Sequence, residues 1–188
     1  ATVPPQQVID GHADFAIHYL KRGWAVDAHD IEKILPGQAD LPRWRKGGIN
    51  GMLVTVGSDL PPSSPEHFPR VAASLDWLDR LVARHGGSLA IARTAADFEA
   101  AAAQGKIALM PAIEGGDQID RSLANLRRAY DRGVRSIGIV YDHNNAIGDG
   151  AMVMPDSARH AHDPSGGLSS FGRELIAEPR IFRIVDQR

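Results

Sequence analysis

Residues 7–14 read QVIDGHAD, a short apolar run that ends on a histidine and an aspartate two positions apart. Short apolar or β-branched runs bounded by turn residues read as strands, and side chains two apart on a strand share a face. His12 and Asp14 therefore leave the end of a first strand pointing the same way, an imidazole and a carboxylate able to grip one divalent ion. Working outward, NGMLVTVG at 50–57 predicts a second strand, KIALMPAI at 106–113 a third and RSIGIVY at 135–141 a fourth. Pro111 tells against the third, because proline has no N–H to give a ladder.

Helical spacing fills the gaps between these runs. Val71, Leu75, Leu78, Leu81 and Val82 predict a helix that stops before Gly86-Gly87. Thr94 is placed to cap the alanine-rich stretch that ends at Gly105. Ile119, Leu123, Leu126 and Tyr130 share one face of a further helix ending near Gly133, and a last helix runs from Ser169 or Ser170 toward Glu178. Strands alternating with helices imply an α/β fold with a mainly parallel sheet. Four strands are about half of a (β/α)8 barrel, for which roughly 250 residues is typical, so the expectation is an incomplete (β/α)8 TIM-type barrel, its first four strands with their helices. Lys21–Gly48 and Asp142–Gly167 read as long polar loops.

Composition narrows the function classes. The chain of 188 residues is 43% hydrophobic and carries a net charge of −2 without a basic stripe, which speaks against nucleic acid and against a polybasic membrane patch. It has no cysteine, so a metal site would draw on His, Asp and Glu. No apolar run is long enough to span a bilayer. Starting at Ala1 without Met leaves the compartment open, cytoplasmic or exported after loss of a leader.

Glu114 closes the third strand and precedes Gly115-Gly116, which let the backbone turn sharply beside the carboxylate. A strand-end acid is ordinarily just solvated, and a lone HxD is weak. Their joint placement at strand C-terminal ends, the active face of α/β barrels, favours function. Tyr141, Asp142, His143, Asn144 and Asn145 cluster after the fourth strand; Tyr141 could orient a substrate carbonyl, and His143 reads more readily as a solvent-facing loop histidine than as a ligand. His160 and His162 form an HxH in a Pro/Gly/Ser loop, read as exposed. His18, His29, His67 and His85 show no partner pattern and are read as surface or packing residues, and Trp24, Trp44 and Trp77 as packing anchors. No phosphate loop or nucleophile elbow is present.

With these residues in place, the chain resembles the membrane dipeptidase (renal dipeptidase) family of zinc metallopeptidases. The resemblance rests on VIDGHAD at 8–14, QADLPRWRKGGINGMLVTV at 38–56, KIALMPAIEGGDQI at 106–119, RGVRSIGIVYDHNNAIGDG at 132–150 and GGLSSFGRELIAE at 166–178. It implies a (β/α)8 barrel with two zinc ions that hydrolyses dipeptides. His12 and Asp14 match ligands of one zinc, Glu114 the catalytic carboxylate that bridges both, and Tyr141 a substrate-contacting position. Residues 1–178 then form the front half of the barrel and 179–188, PRIFRIVDQR, a divergent tail. The family continues past this point into strands bearing two further ligand histidines, so the resemblance also implies a truncated and impaired enzyme with at most one well-held zinc. The alternative is a non-catalytic half barrel that binds metal or peptide and self-associates through exposed sheet edges.

Overall fold

A computed structural model describes residues 7–24, 29–37, 39–61, 64–150 and 167–178. In chain order the elements are β1 (Val8–Ala13), α1 (Phe15–Lys21), α2 (Leu41–Lys46), β2 (Ile49–Thr55), α3 (His67–Arg84), β3 (Leu89–Ile91), α4 (Ala95–Ala103), β4 (Ile107–Ile113), a 3-10 turn (Gly116–Ile119), α5 (Leu123–Asp131), β5 (Ser136–Ile137) and α6 (Ser170–Ile176). They fall into two compact units, Ala1–Val56 with Ala72–Ala112, and Gly57–Val71 with Ile113–Arg188.

In the first unit β1, β2, β4 and β3 lie side by side in that order, all parallel. Register pairs Ala13 with Val54 and Thr55 with Ala112, so the C-terminal ends of β1, β2 and β4 share one edge. β4 is nearly all buried because it lies inside the sheet, and strands covered on both faces read as continuous apolar runs. Met52, Val54, Leu78, Leu81, Leu89 and Leu109 fill the core. Phe15 meets Trp44 edge-on at 5.0 Å between ring centroids and Tyr19 meets Trp77 at 5.7 Å, geometry that aromatic quadrupoles favour. The tryptophans are packing anchors, as expected.

Pro111 belongs to β4 after all. Leu109 O accepts from Ala92 N at 2.9 Å, and residues two apart turn their backbone groups to the same side. The missing N–H of Pro111 therefore faces the β3 side, where β3 has already ended, its pairing stopping at Leu109. Toward β2, Pro111 keeps its register with Val54.

Three elements correct the sequence reading. The segment 21–48 is not all loop: α2 forms within it because Asp40 Oδ1 accepts from Arg43 N at 2.9 Å, capping the helix, with proline in the first turn where no N–H is needed. β3 is a strand of only three residues between two helices. α1 follows Asp14 directly.

In the second unit the strand expected over 135–141 contracts to β5. Ile139 O instead accepts from Gly116 N at 3.2 Å and from Asn145 Nδ2 at 2.9 Å. Asn145, almost fully buried, also takes Ile147 N at 2.8 Å and Gly148 N at 3.2 Å on its Oδ1. Backbone groups that a ladder would use are spent on this turn. The helix expected from Ile119 is likewise divided, since Asp120 and Arg121 take left-handed φ of 51° and 50° and Ser122 caps a new start. Ser169 caps α6 by accepting from Gly172 N at 2.9 Å. His160, His162 and the tail at 179–188 lie outside the described residues.

Candidate metal centre

His12 and Asp14 stand at the end of β1, with His12 Nε2 3.2 Å from Asp14 Oδ1. Asp10 Oδ1 accepts from His12 N at 3.1 Å and steadies the strand end. Asp14 occupies the N-cap of α1, a position where aspartate ordinarily bonds a backbone N–H, yet its side chain makes no capping bond. Asp14 Oδ1 is sealed from solvent and has no hydrogen-bond partner. Two ligands about 2.0–2.2 Å from one tetrahedral ion lie roughly 3.3–3.6 Å apart, so an uncommitted buried carboxylate oxygen at 3.2 Å from an imidazole nitrogen suits a shared divalent cation. A cleft of about 570 Å³ opens beside Asp14, lined among others by Asp10, His18, Tyr19, Arg22 and Trp44.

Glu114 follows β4 directly, two residues beyond Ala112. The chain turns there at Gly115, whose φ of 80° disfavours a side chain, and at Gly116, where a Cβ would lie 2.7 Å from Ile139 O. A Cβ on Gly138, just after β5, would approach Gly115 N to 3.2 Å and Glu114 Cα to 3.7 Å, so the end of β5 rests against the Glu114 turn. Tyr141 follows, its Cβ 3.5 Å from where a Cβ on Gly115 would be, with 61% of the residue exposed. The second unit thus puts Tyr141 beside the turn that carries Glu114, with its ring accessible.

His143 does not face solvent as the sequence suggested. It is mostly buried, with Nδ1 2.5 Å from Asp142 Oδ1 and Nε2 3.3 Å from Asp117 Oδ2. The hydrogen bond from His143 holds the Asp142 carboxyl below the usual carboxylate range. Among the histidines without a sequence pattern, His67 is buried with Nε2 3.1 Å from Pro61 O and His29 stacks on Trp24 at 4.3 Å. His85 is buried too, and it has neighbours that sequence reasoning missed: Asp30 and Glu32. No spacing could have signalled that group, because its histidine and its acids come from distant segments.

Among the described residues no helix is long and apolar enough to cross a membrane. Residues 4–187 match the family described as membrane dipeptidase, peptidase family M19. A curated relative, dipeptidase verJ of Clonostachys rogersoniana, is 29% identical over 193 residues, covering 95% of this chain and 47% of its own. The solved structure of dipeptidase AC, a metallopeptidase of family M19, matches with a TM-score of 0.71 at 26% identity, over 92% of this chain and 53% of its own. A Rhodobacter sphaeroides metallopeptidase, solved with a phosphinate mimic of the dipeptide L-Ala-D-Ala, matches with a TM-score of 0.70 at 24% identity, over 92% and 55%. The chain spans about half the length of these relatives. Its parallel strands and alternating helices are those of an incomplete (β/α)8 barrel. With the family match running over nearly the whole sequence, the chain belongs to the membrane dipeptidase family of metallopeptidases.

Proposed function

We propose that the chain is a zinc dipeptidase in which His12, Asp14 and Glu114 hold the metal and Tyr141 contacts the substrate. The observation that carries this reading is the Asp14 carboxylate, neither capping α1 nor hydrogen-bonded at Oδ1, 3.2 Å from His12 Nε2. Zinc, when bound, supplies Lewis-acid polarisation and a nucleophile at neutral pH. His12 offers a nitrogen and Asp14 an oxygen from one strand end. Glu114, with two carboxylate oxygens, is able to contact two ions at once. Tyr141 has an accessible phenol that can donate to a dipeptide carbonyl. The cleft beside Asp14 falls within the range of about 300–1,000 Å³ that small ligands occupy.

Two measurements test this. The zinc-loaded chain is assayed against a panel of dipeptides that includes L-Ala-D-Ala; turnover is expected, and Glu114→Gln should abolish it. No turnover of any member at saturating zinc would refute the catalytic assignment. Zinc affinity in Asp14→Asn, read without any substrate, tests the ligand assignment alone, and unchanged affinity would refute it. Among the described residues, Val8 and Ile9 are exposed on the outer edge of β1, an observation in favour of self-association, which sedimentation of the same preparation resolves.

A further inference from the structure

The connection between α1 and α2 brings Asp30 and Glu32 up to His85, the residue after α3, so that one donor atom from each lies within 4.8 Å of the others. All three belong to the first unit. His85 is the informative member. Its side chain is 7% exposed, and Nδ1 faces Glu32 Oε1 across 3.8 Å, beyond hydrogen-bond reach. Nε2, the ring nitrogen other than the one that faces Glu32, is sealed from solvent and has no hydrogen-bond partner, so neither nitrogen holds the buried imidazole in place. Buried polar groups ordinarily find such partners. A separation of 3.8 Å is, however, what two donors about 2.1 Å from a common ion show at an angle of roughly 130°. Both carboxylates are about half exposed, so rotation can draw the longest separation in.

The surroundings orient the group. Arg45 Nη2 donates to Ser88 Oγ at 2.6 Å, and Ser88 Oγ donates to Glu32 Oε1 at 3.0 Å. Partners of this kind fix a ligating carboxylate in place. Lys33 Nζ, on an exposed side chain, stands 3.7 Å from Asp30 Oδ2, where a divalent ion would displace it into water. The group also sits away from the proposed catalytic edge. His85 lies between the C-terminus of α3 and the N-terminal end of β3, whereas His12 and Asp14 lie at the C-terminal end of β1, and all the strands are parallel.

We propose that Asp30, Glu32 and His85 form a second, structural cation site that pins the α1–α2 connection to the corner between α3 and β3. One imidazole with two carboxylates suits zinc or a similar first-row divalent ion better than calcium or magnesium, which prefer all-oxygen shells. The site does not depend on the dipeptidase reading.

Titration calorimetry of the metal-stripped full chain with zinc chloride tests it. The parent is expected to take up zinc at two classes of site, with Glu32→Gln and His85→Gln each losing one equivalent and Asp14→Asn losing the other. Glu32 is half exposed, so its variant keeps the fold even if the buried His85 variant does not; far-UV circular dichroism checks both. Equal stoichiometry and affinity in Glu32→Gln and the parent would overturn the proposal. A single equivalent lost in Asp14→Asn but kept in Glu32→Gln would overturn it while sparing the catalytic assignment. The reverse pattern would support this site and refute the ligand role of Asp14.

Discussion

Asp40 is a fully buried carboxylate whose removal should be felt at two separate readouts. Its Oδ1 accepts from Arg43 N at 2.9 Å, and its Oδ2 accepts from Leu35 N at 3.2 Å and lies 3.0 Å from Arg43 Nη1. Asp40→Ala deletes the helix cap, a loss of about 1 kcal/mol. It also leaves the buried Leu35 N–H unsatisfied at about 1–3 kcal/mol, while the partly exposed Arg43 side chain returns to water at little expense. The expected total is about 2–4 kcal/mol. Asp40→Asn keeps one acceptor oxygen and should lose about half as much, giving the stability order Asp, Asn, Ala by urea unfolding.

Tyr19 supplies the second readout for the same substitution. Its phenol is buried, donates to Ala39 O, and is pushed up from 10.0 to about 12, first by burial and then by the Asp40 charge, with Arg22 and Arg43 opposing. A raised pKa in an acid means that the fold favours the neutral phenol. This contributes about 3 kcal/mol, present in full below pH 10 and lost as pH climbs from 10 to about 12. In Asp40→Asn the Tyr19 phase of an alkaline absorbance titration, identified by its absence in Tyr19→Phe, should move down yet stay above 10 because burial remains. An Asp40→Ala protein within 1 kcal/mol of the parent, or an unmoved Tyr19 phase in Asp40→Asn, would refute the reasoning.

Gly51→Ala should destabilise by about 1–3 kcal/mol, since a Cβ there would lie 2.5 Å from the Phe98 ring and 3.3 Å from Ala108 O; adding Phe98→Leu should recover part of the loss in a thermal melt. Thr94→Ala should lower stability by about 1 kcal/mol, because Thr94 Oγ1 accepts from Asp97 N at 3.2 Å while Asp97 Oδ2 accepts from Thr94 N at 2.9 Å. Backbone and side-chain hydrogen bonds from Arg93 and Thr94 hold the Asp97 carboxyl below its ordinary value. Its stabilising share is therefore present at neutral pH and lost as pH falls through that lowered value, and Thr94→Ala should blunt the acid-side decline of the melting temperature.

What could be read ahead of the structure was whatever local chemistry determines. β2 and β4 announced themselves as apolar runs, and Thr94 and Ser169 cap helices through side chains one turn from the N–H groups they satisfy. α2 was not legible because its cap is held by Asp40, which also reaches back to Leu35. β3 pairs at only three residues, too few for any period to show. The fourth strand was overextended because Asn145, itself read as part of a polar loop, captures a carbonyl that an isolated apolar run seemed to reserve for a ladder. Of the site residues, the HxD pair was legible because its spacing is covalent. His85 was not, since its acids lie more than fifty residues upstream.

The aromatic packing of the first unit has an optical consequence. Trp24, Trp44 and Trp77 are the chain's only tryptophans, and every one of them belongs to that unit, two deep in its core and Trp24 packed against it. Tryptophan emission, excited selectively over tyrosine, therefore originates in the first unit alone, whereas far-UV circular dichroism sees the helices of both. Denaturation curves recorded by the two methods will coincide where the units melt together and part where one loosens first, so the molecule carries its own label for telling those events apart.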